Sequence, residues 1–503
     1  MRPHRLRNLF VMGFQLPPCC SKVRLPARAR EVDRSFQRIR LETTVKIGIS
    51  LAALLLGGSA TLLGQMSAEA VPGGKGGTAG GIGADVAVCN MPAISRWGTV
   101  NGVSAYSIGT TSVNLGDVDL EWYANNNRHP RMPMNMFRFK DGRLEQIGYS
   151  WCKDGFCALQ QNECGSCDPA GSGCPQLLGP GCSDPYSSSI NGSQGGLAPR
   201  WQCDPSTGQF QYPPTGLPNA APTVGRRVQV LQADLSPQQN PGAQYYCDSM
   251  YLHPQDYEAG NQLNNASYKR MVVGSLGSQG YRLTPQGTTY LGKPAIFAWE
   301  DNSDTVTIKA VDIPNDGRVF VASDVVDNGD GTYRYNYAIY NLTSKDAING
   351  ISIPLPAGVE ISDPEFKFPI HHSGDPYSND AWVISEEAGY LTFAGAEFSE
   401  NEDANAVRWC MMYNFSFTAD AAPTDGDVVL DRFESNSTIG ASGLAVPSGP
   451  DNPYDLNGDG AVNGSDVGIF FTQWGAGCGS FADFNGDCVV NSADAGLLFA
   501  AWS

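Results

Sequence analysis

Six aspartates and four asparagines near the carboxyl end fall on a spacing suited to a hard divalent cation. Asp455, Asn457, Asp459, Ala461, Asn463 and Asp466 form one set. Asp483, Asn485, Asp487, Val489, Asn491 and Asp494 repeat it 28 residues later. Oxygen-bearing side chains occupy loop positions 1, 3, 5, 9 and 12, and Ala461 and Val489 offer a backbone carbonyl at position 7. Calcium takes six to eight oxygen ligands in a flexible shell, and this spacing wraps a chain around such an ion, so two Ca2+ ions are expected. The apolar stretch after each loop also repeats: Val467 to Phe471 leads to Trp474, and Ala495 to Phe499 leads to Trp502. The unit reads as a duplicated loop and helix. Cys488 stands at loop position 6, where Gly normally makes the sharp turn. A bridge from Cys488 to Cys478 is expected to lock that loop.

This unit, Asp455 to Ser503, resembles a type I dockerin, the small calcium-dependent domain that plugs bacterial extracellular proteins into cohesin partners. The resemblance implies a secreted protein held to a cohesin-type or other cell-surface partner. It also implies a setting of polysaccharide breakdown, because glycoside hydrolysis is the activity most often coupled to dockerins. Each loop closes in Asp, as is usual for that family. The Lys/Arg pair that often contacts cohesin is replaced by Phe471-Thr472 and Phe499-Ala500. Calcium binding is thus better supported than cohesin binding.

Export is legible at the other end. A basic stretch with Arg24, Arg28, Arg30, Arg34, Arg38, Arg40 and Lys46 precedes an apolar run from Ile47 to Leu63, and Ala68-Glu69-Ala70 offers a cleavage site. Residues 1–70 are read as a signal peptide with an extended basic leader. The apolar run is too short and too diluted by Gly57, Gly58 and Ser59 for a membrane span, so none is expected after cleavage. The full chain has net charge −18; beyond residue 70 there are 22 basic against 47 acidic side chains, a net −25. That balance argues against nucleic acid and anionic membranes as partners.

The elements that must position any site are mostly strands. Gly at 58, Pro at 33 and only 17% charged residues favour turns and strands over long helices. Residues 71–84 read as a Gly-rich linker and 85–300 as a Cys-rich β and loop domain. Strands are expected at Val103 to Ile108, Met136 to Phe139, Val228 to Leu231 and Ala295 to Trp299. Residues 301–433 read as a β-sandwich of immunoglobulin-like size, because Tyr333, Tyr335, Tyr337 and Ile339 alternate with Arg334, Asn336 and Ala338. Trp409 to Thr418 alternates likewise, with Cys410 and Met412 blurring one face. Residues 434–454 read as a linker and 455–503 as the calcium-binding module. Twelve cysteines lie beyond residue 70, and an even number in an exported chain reads as disulfides. Cys164 and Cys167 could be half a zinc or redox site, but no second pair accompanies them.

Further chemistry is thinner. Asp327-Asn-Gly-Asp-Gly331 lies between two strands and reads as a hairpin turn rather than a third calcium loop. His371 and His372 head a polar loop that runs through Asp375 to Asp380. Adjacent histidines on an extended segment face opposite ways, so a structured surface loop is expected before a metal or acid–base site. His129 and His253 show no ligand spacing. Glu121, Glu145, Asp184, Glu300, Asp375 and Glu386 are the carboxylates that a glycosidase would draw its pair from. Trp122, Tyr123, Trp151, Trp201 and Trp382 are candidates for sugar-stacking platforms. No nucleophile elbow, phosphate loop or dinucleotide fingerprint is present. The catalytic residues stay unassigned. Three roles remain open: a hydrolase of O-glycosyl bonds, a non-catalytic glycan or surface binder, and a structural assembly protein anchored by its tail.

Overall fold

The computed structural model describes residues 82–502 apart from 357, 450, 451, 458, 459 and 479. The leader at 1–70, all but the end of the segment 71–84, and the expected ligand Asp459 lie outside the described residues. Among the described residues no helix is long and apolar enough to cross a membrane.

The period-two segments fold as expected into a sandwich of two five-stranded antiparallel sheets. The first orders its strands Thr307–Asp312, Arg318–Asp327, Tyr333–Asn341, Met412–Ala419 and Ile361–Lys367. The second orders Val383–Glu387, Tyr390–Ala394, Ile348–Pro354, Pro423–Arg432 and Ser437–Pro447. Tyr335, Tyr337, Ile339, Phe415 and Phe417 face Ile351, Ile353, Phe393, Leu430 and Leu444 across an apolar core. The tyrosine hydroxyls escape isolation by donating to backbone carbonyls, Tyr335 to Ala421 (2.9 Å) and Tyr337 to Ala445 (2.5 Å).

The first sheet is buried on both faces. Phe320, Ala338, Tyr340 and Met412 pack away from the sandwich core, against Phe137, Leu144, Tyr246 and Trp299 of the Cys-rich region. This explains why Met412 spoils the alternation, since both faces of that strand needed apolar residues, while Cys410 precedes the strand and packs into the same core. The packing partner is another five-stranded antiparallel sheet, ordered Gly280–Tyr290, Ala266–Gly277, Gln244–Met250, Met134–Lys140 and Arg143–Tyr149. Its far face joins a core with Val86, Tyr106, Trp122, Trp151 and Val228, capped by short strands.

Residues 157–182 contribute little apolar surface and are held by covalent links instead. Cys157–Cys174, Cys167–Cys182 and Cys89–Cys164 are bonded. In the chain-entropy picture a loop of about 15 residues closed in this way gains about 3 kcal/mol. Cys478–Cys488 is the fourth bridge, as expected from the sequence. The even count did not mean complete pairing, however: Cys152, Cys203, Cys247 and Cys410 are free thiols, and three of them are fully buried as small hydrophobes.

Three other expectations change. Ala295–Trp299 is a 3-10 helix, not a strand; it starts where the Ala295 N–H donates to the buried Asp248 carboxylate (3.1 Å). Trp409 and Cys410 form a turn before the strand that begins at Met412. Most of the stretch read as a linker at 434–454 is the strand Ser437–Pro447, paired with Pro423–Arg432. Its Gly and Ser content hid a sheet-edge strand. The Asp327 to Gly331 turn joins two paired strands, with Asp327 and Asp330 accepting from the Gly329 (2.7 Å) and Thr332 (3.1 Å) N–H groups.

Candidate functional site

The carboxyl module contains two nine-residue helices, Gly464–Thr472 and Ser492–Ala500, each opened by a reciprocal capping box. Asn463 accepts from the Ser465 N–H (2.9 Å), and Asn491 from the Ala493 N–H (2.7 Å). The last residue of each loop turns back to close it. Asp466 accepts from the N–H groups of Leu456 (2.8 Å), Asn457 (3.1 Å) and Asn463 (2.8 Å). Asp494 does the same with Asn485 (3.1 Å) and Asn491 (2.9 Å). Burial works to raise both carboxyls, yet these N–H groups outweigh it and hold them below the usual carboxylate range.

In the second loop Asp483, Asp487 and Asp494 bring carboxylate oxygens within 4.8 Å of one another. The chain from Asp455 to Ser503 contains no Lys, Arg or His. Three converging carboxylates with no cationic side chain nearby in sequence repel one another unless a cation joins them. Hard oxygen donors at this spacing fit calcium. Asn485, whose carbonyl oxygen accepts from the Asp487 N–H (2.9 Å), and Asn491, whose amide donates to the Val489 carbonyl (2.9 Å), hold the remaining expected ligand positions in register. In the first loop Asp455 accepts from the Gly460 N–H (2.7 Å), and Asn463 donates to the Ala461 carbonyl (3.2 Å).

The helices pack through Val462, Phe470, Val490 and Leu498, residues related in pairs by the 28-residue repeat. The same repeat sets a second, outward pair. Phe471 and Phe499 are 52% and 51% exposed, and Trp474 and Trp502 are 49% and 52% exposed. Sequence reading placed these aromatics on the helices and missed that they point outward. Four such rings on a module this small exceed what scattered surface apolar residues require.

The loop from His371 to Asp380 lies largely at the surface, with Ser373, Gly374, Pro376, Asn379 and Asp380 exposed, and only its two histidines turn inward. His371 and His372 are buried where the Cys-rich region meets the sandwich, and they face different partners, as extended geometry demands. His371 lies 3.2 Å from the Tyr149 hydroxyl and 3.0 Å from the Asn405 carbonyl oxygen, while His372 lies 2.8 Å from the Arg227 carbonyl oxygen. Burial pushes His371 down to about 4 and lowers His372 as well, so both are neutral struts at pH 7. Asp375 accepts from the Tyr149 hydroxyl (2.5 Å) and the Trp151 indole N–H (2.7 Å).

The six candidate carboxylates sit in separate settings. Glu121 is tied to Arg128, and Glu145 bridges Arg138 (2.6 Å) and Arg143 (2.5 Å). Glu300 pairs with Lys293 (3.3 Å), and Glu386 is exposed on the strand Val383–Glu387. Asp184 accepts from the Leu159 N–H (2.8 Å) while its other oxygen is buried without a partner, and burial pushes it up to about 7. His253 caps the helix Pro254–Ala259, accepting from the Gln255 N–H (3.0 Å), and His129 meets the Tyr123 carbonyl (2.9 Å). Of the aromatic platforms, Trp122, Trp151 and Trp382 are core residues, and Trp201 is half-buried.

No family model matches the chain, and no curated protein matches it. Among solved structures, one of a membrane-anchored protein from Corynebacterium diphtheriae is 9% identical, covering 73% of this chain and 92% of that one, with a TM-score of 0.15. The B domain of a biofilm-associated protein is 9% identical, covering 73% and 86%, with a TM-score of 0.12. Neither likeness is close enough to bear on the fold or the site.

Proposed function

We propose that this is an exported, calcium-binding protein whose carboxyl module attaches it to a cohesin-type or other cell-surface partner, in a setting of extracellular polysaccharide. The convergence of Asp483, Asp487 and Asp494 in a module without any basic residue carries the reading. Four disulfides support an oxidising, extracellular compartment. Calcium would be held by Asp483, Asn485, Asp487, Asn491 and Asp494 with the Val489 carbonyl, and by the equivalent residues of the first loop. The outward Phe471, Trp474, Phe499 and Trp502 supply an apolar surface for a protein partner in place of the missing Lys/Arg pair.

Between catalysis and binding, the separate settings of the six carboxylates favour a glycan-binding or assembly role. A glycosidase needs two carboxyl groups roughly 5–9.5 Å apart across one cleft. Calorimetry on the full chain tests the calcium reading. Two ions per chain are expected, reversed by EDTA, falling to one in Asp483→Ala and to none when Asp455→Ala is added. Unchanged stoichiometry in the double variant would refute it. Capture by immobilised cohesin domains, with and without EDTA, tests the partner.

A further inference from the structure

We propose that a cleft between the Cys-rich region and the sandwich binds a single acidic sugar unit, a hexuronate, through its carboxylate. This deepens the glycan reading above and rests on it for the source of the ligand. The cleft has a volume of about 150 Å3 and is walled by segments around Trp201, Lys345, the 371–377 loop, Arg408 and Glu434. A cavity of about that volume holds benzene, so the space takes the carboxylate end and part of the ring of a hexuronate, with the remaining hydroxyls left at its mouth.

The charge of the wall runs against that of the chain. Arg200, Arg408 and Lys345 face Asp375 and Glu434, three cations against two carboxyls, in a protein of net charge −18. None of the three cations has an ion-pair partner among the described residues. Arg200 spends its donors on neutral acceptors, the Ser150 and Cys410 carbonyls (2.7 and 3.0 Å) and the Asn135 side chain (2.7 Å). Arg408 donates through Nη2 alone, to the Glu402 (2.8 Å) and Ala404 (3.1 Å) carbonyls, which leaves Nη1 without a protein acceptor.

Acceptors on the same wall are largely used up. Asp375 is held by Tyr149 and Trp151, and His371 by Tyr149 and Asn405. Burial raises the Glu434 carboxyl, while Lys345 and Arg408 act to lower it, so this one carboxyl is shared between two cations. Donors are left over among the described residues: Arg408 Nη1, Lys345 Nζ and Trp201 Nε1 have no hydrogen-bond partner there, and Arg408 Nε and Trp409 Nε1 are buried without one. Surplus donors with surplus positive charge select an anion rather than a neutral group.

The rings select what carries that anion. Trp201 and Tyr377 stand edge to face with centroids 6.4 Å apart, and the Arg408 guanidinium lies 3.9 Å over Tyr377. With Tyr377 covered by Arg408, the half-buried Trp201 is the aromatic surface beside the cations that suits the apolar face of a pyranose ring. A neutral hexose would leave the cations unmatched, and acetate would leave Trp201 uncovered.

Calorimetry of the full chain with glucuronate and galacturonate, against glucose, galactose and acetate, tests this directly. At least one uronate should bind at millimolar affinity or tighter, tenfold or more above its neutral hexose and above acetate. Arg408→Gln should weaken it at least tenfold, and Lys345→Gln, on an exposed side chain, about threefold with an unchanged melting temperature. Equal binding of hexose and uronate, or uronate binding untouched by both variants, overturns the proposal. Co-sedimentation with insoluble polysaccharide separates the two readings. Sedimentation that uronates do not compete away removes this proposal and keeps the glycan reading. Uronate binding that fits the variant pattern, without sedimentation, keeps the site and removes polysaccharide as its source.

Discussion

Cys488 is bonded to Cys478 while holding the left-handed backbone that Gly460 holds at the same place in the first loop, φ +69° against +86°. Both N–H groups point back at the first aspartate of their loop, Cys488 to Asp483 (2.9 Å) and Gly460 to Asp455 (2.7 Å). An L side chain costs roughly 1–2 kcal/mol in that region, and Gly costs nothing. The second loop keeps the turn and uses the Cβ it carries to tether the loop to the segment before it.

Two variants separate strain from tether. In Cys478→Ser/Cys488→Gly the bridge is lost but the turn is relaxed; in Cys478→Ser/Cys488→Ser the bridge is lost and the strain stays. Calcium titration should show the second variant binding roughly five- to tenfold more weakly at the second loop, matching 1–1.4 kcal/mol. Equal affinities would mean that the backbone geometry of position 6 does not limit binding.

Asp184 sets a pH dependence of known sign. Its folded pKa is raised by burial to about 7, above the ordinary carboxyl value, so the folded state holds a proton that the unfolded state has released. Stability therefore falls as pH rises from about 4 to 7 and is level above that. Asp184→Asn removes this dependence and should raise stability at pH 8 by on the order of 3 kcal/mol, read from urea midpoints at pH 4, 6 and 8. His253, which burial pushes down to about 3, acts in the opposite direction below pH 6.5 in both proteins and cancels in the difference. A pH-independent difference would show that Asp184 is ionised in the fold.

The sheet that is buried on both faces should couple its neighbours. Trp299 is fully buried on the Cys-rich side of that sheet. Trp299→Ala should cost about 3–5 kcal/mol and lower the melting of the sandwich with it, as one calorimetric transition. Two separated transitions, with the sandwich unmoved, would mean that the seam contributes little to either.

The sequence told most where a local period or a fixed spacing carries the information. Tyr335, Tyr337 and Ile339 announced their strand because one face meets an apolar core. The convergence of Asp483, Asp487 and Asp494 and the Cys478–Cys488 bridge were legible because each lies within a few turns of chain. Ser437–Pro447 was not, since an edge strand rich in Gly and Ser resembles a linker until its partner Pro423–Arg432 is known. The cleft was illegible for a related reason: Trp201, Lys345, Tyr377, Arg408 and Glu434 are brought together only by the packing of two sheets. No spacing records that encounter.

That edge strand also changes how far the tail can reach. A connection across 434–454 would have been 21 residues, long enough to extend about 70 Å; from Ser448 to Tyr454 only seven remain, at most about 25 Å. A partner of the module, were one bound, would therefore be held within about one domain diameter of the sandwich rim. The effective concentration of any surface ligand facing the sandwich rises accordingly. Any attachment through this tail would restrict orientation as well as location.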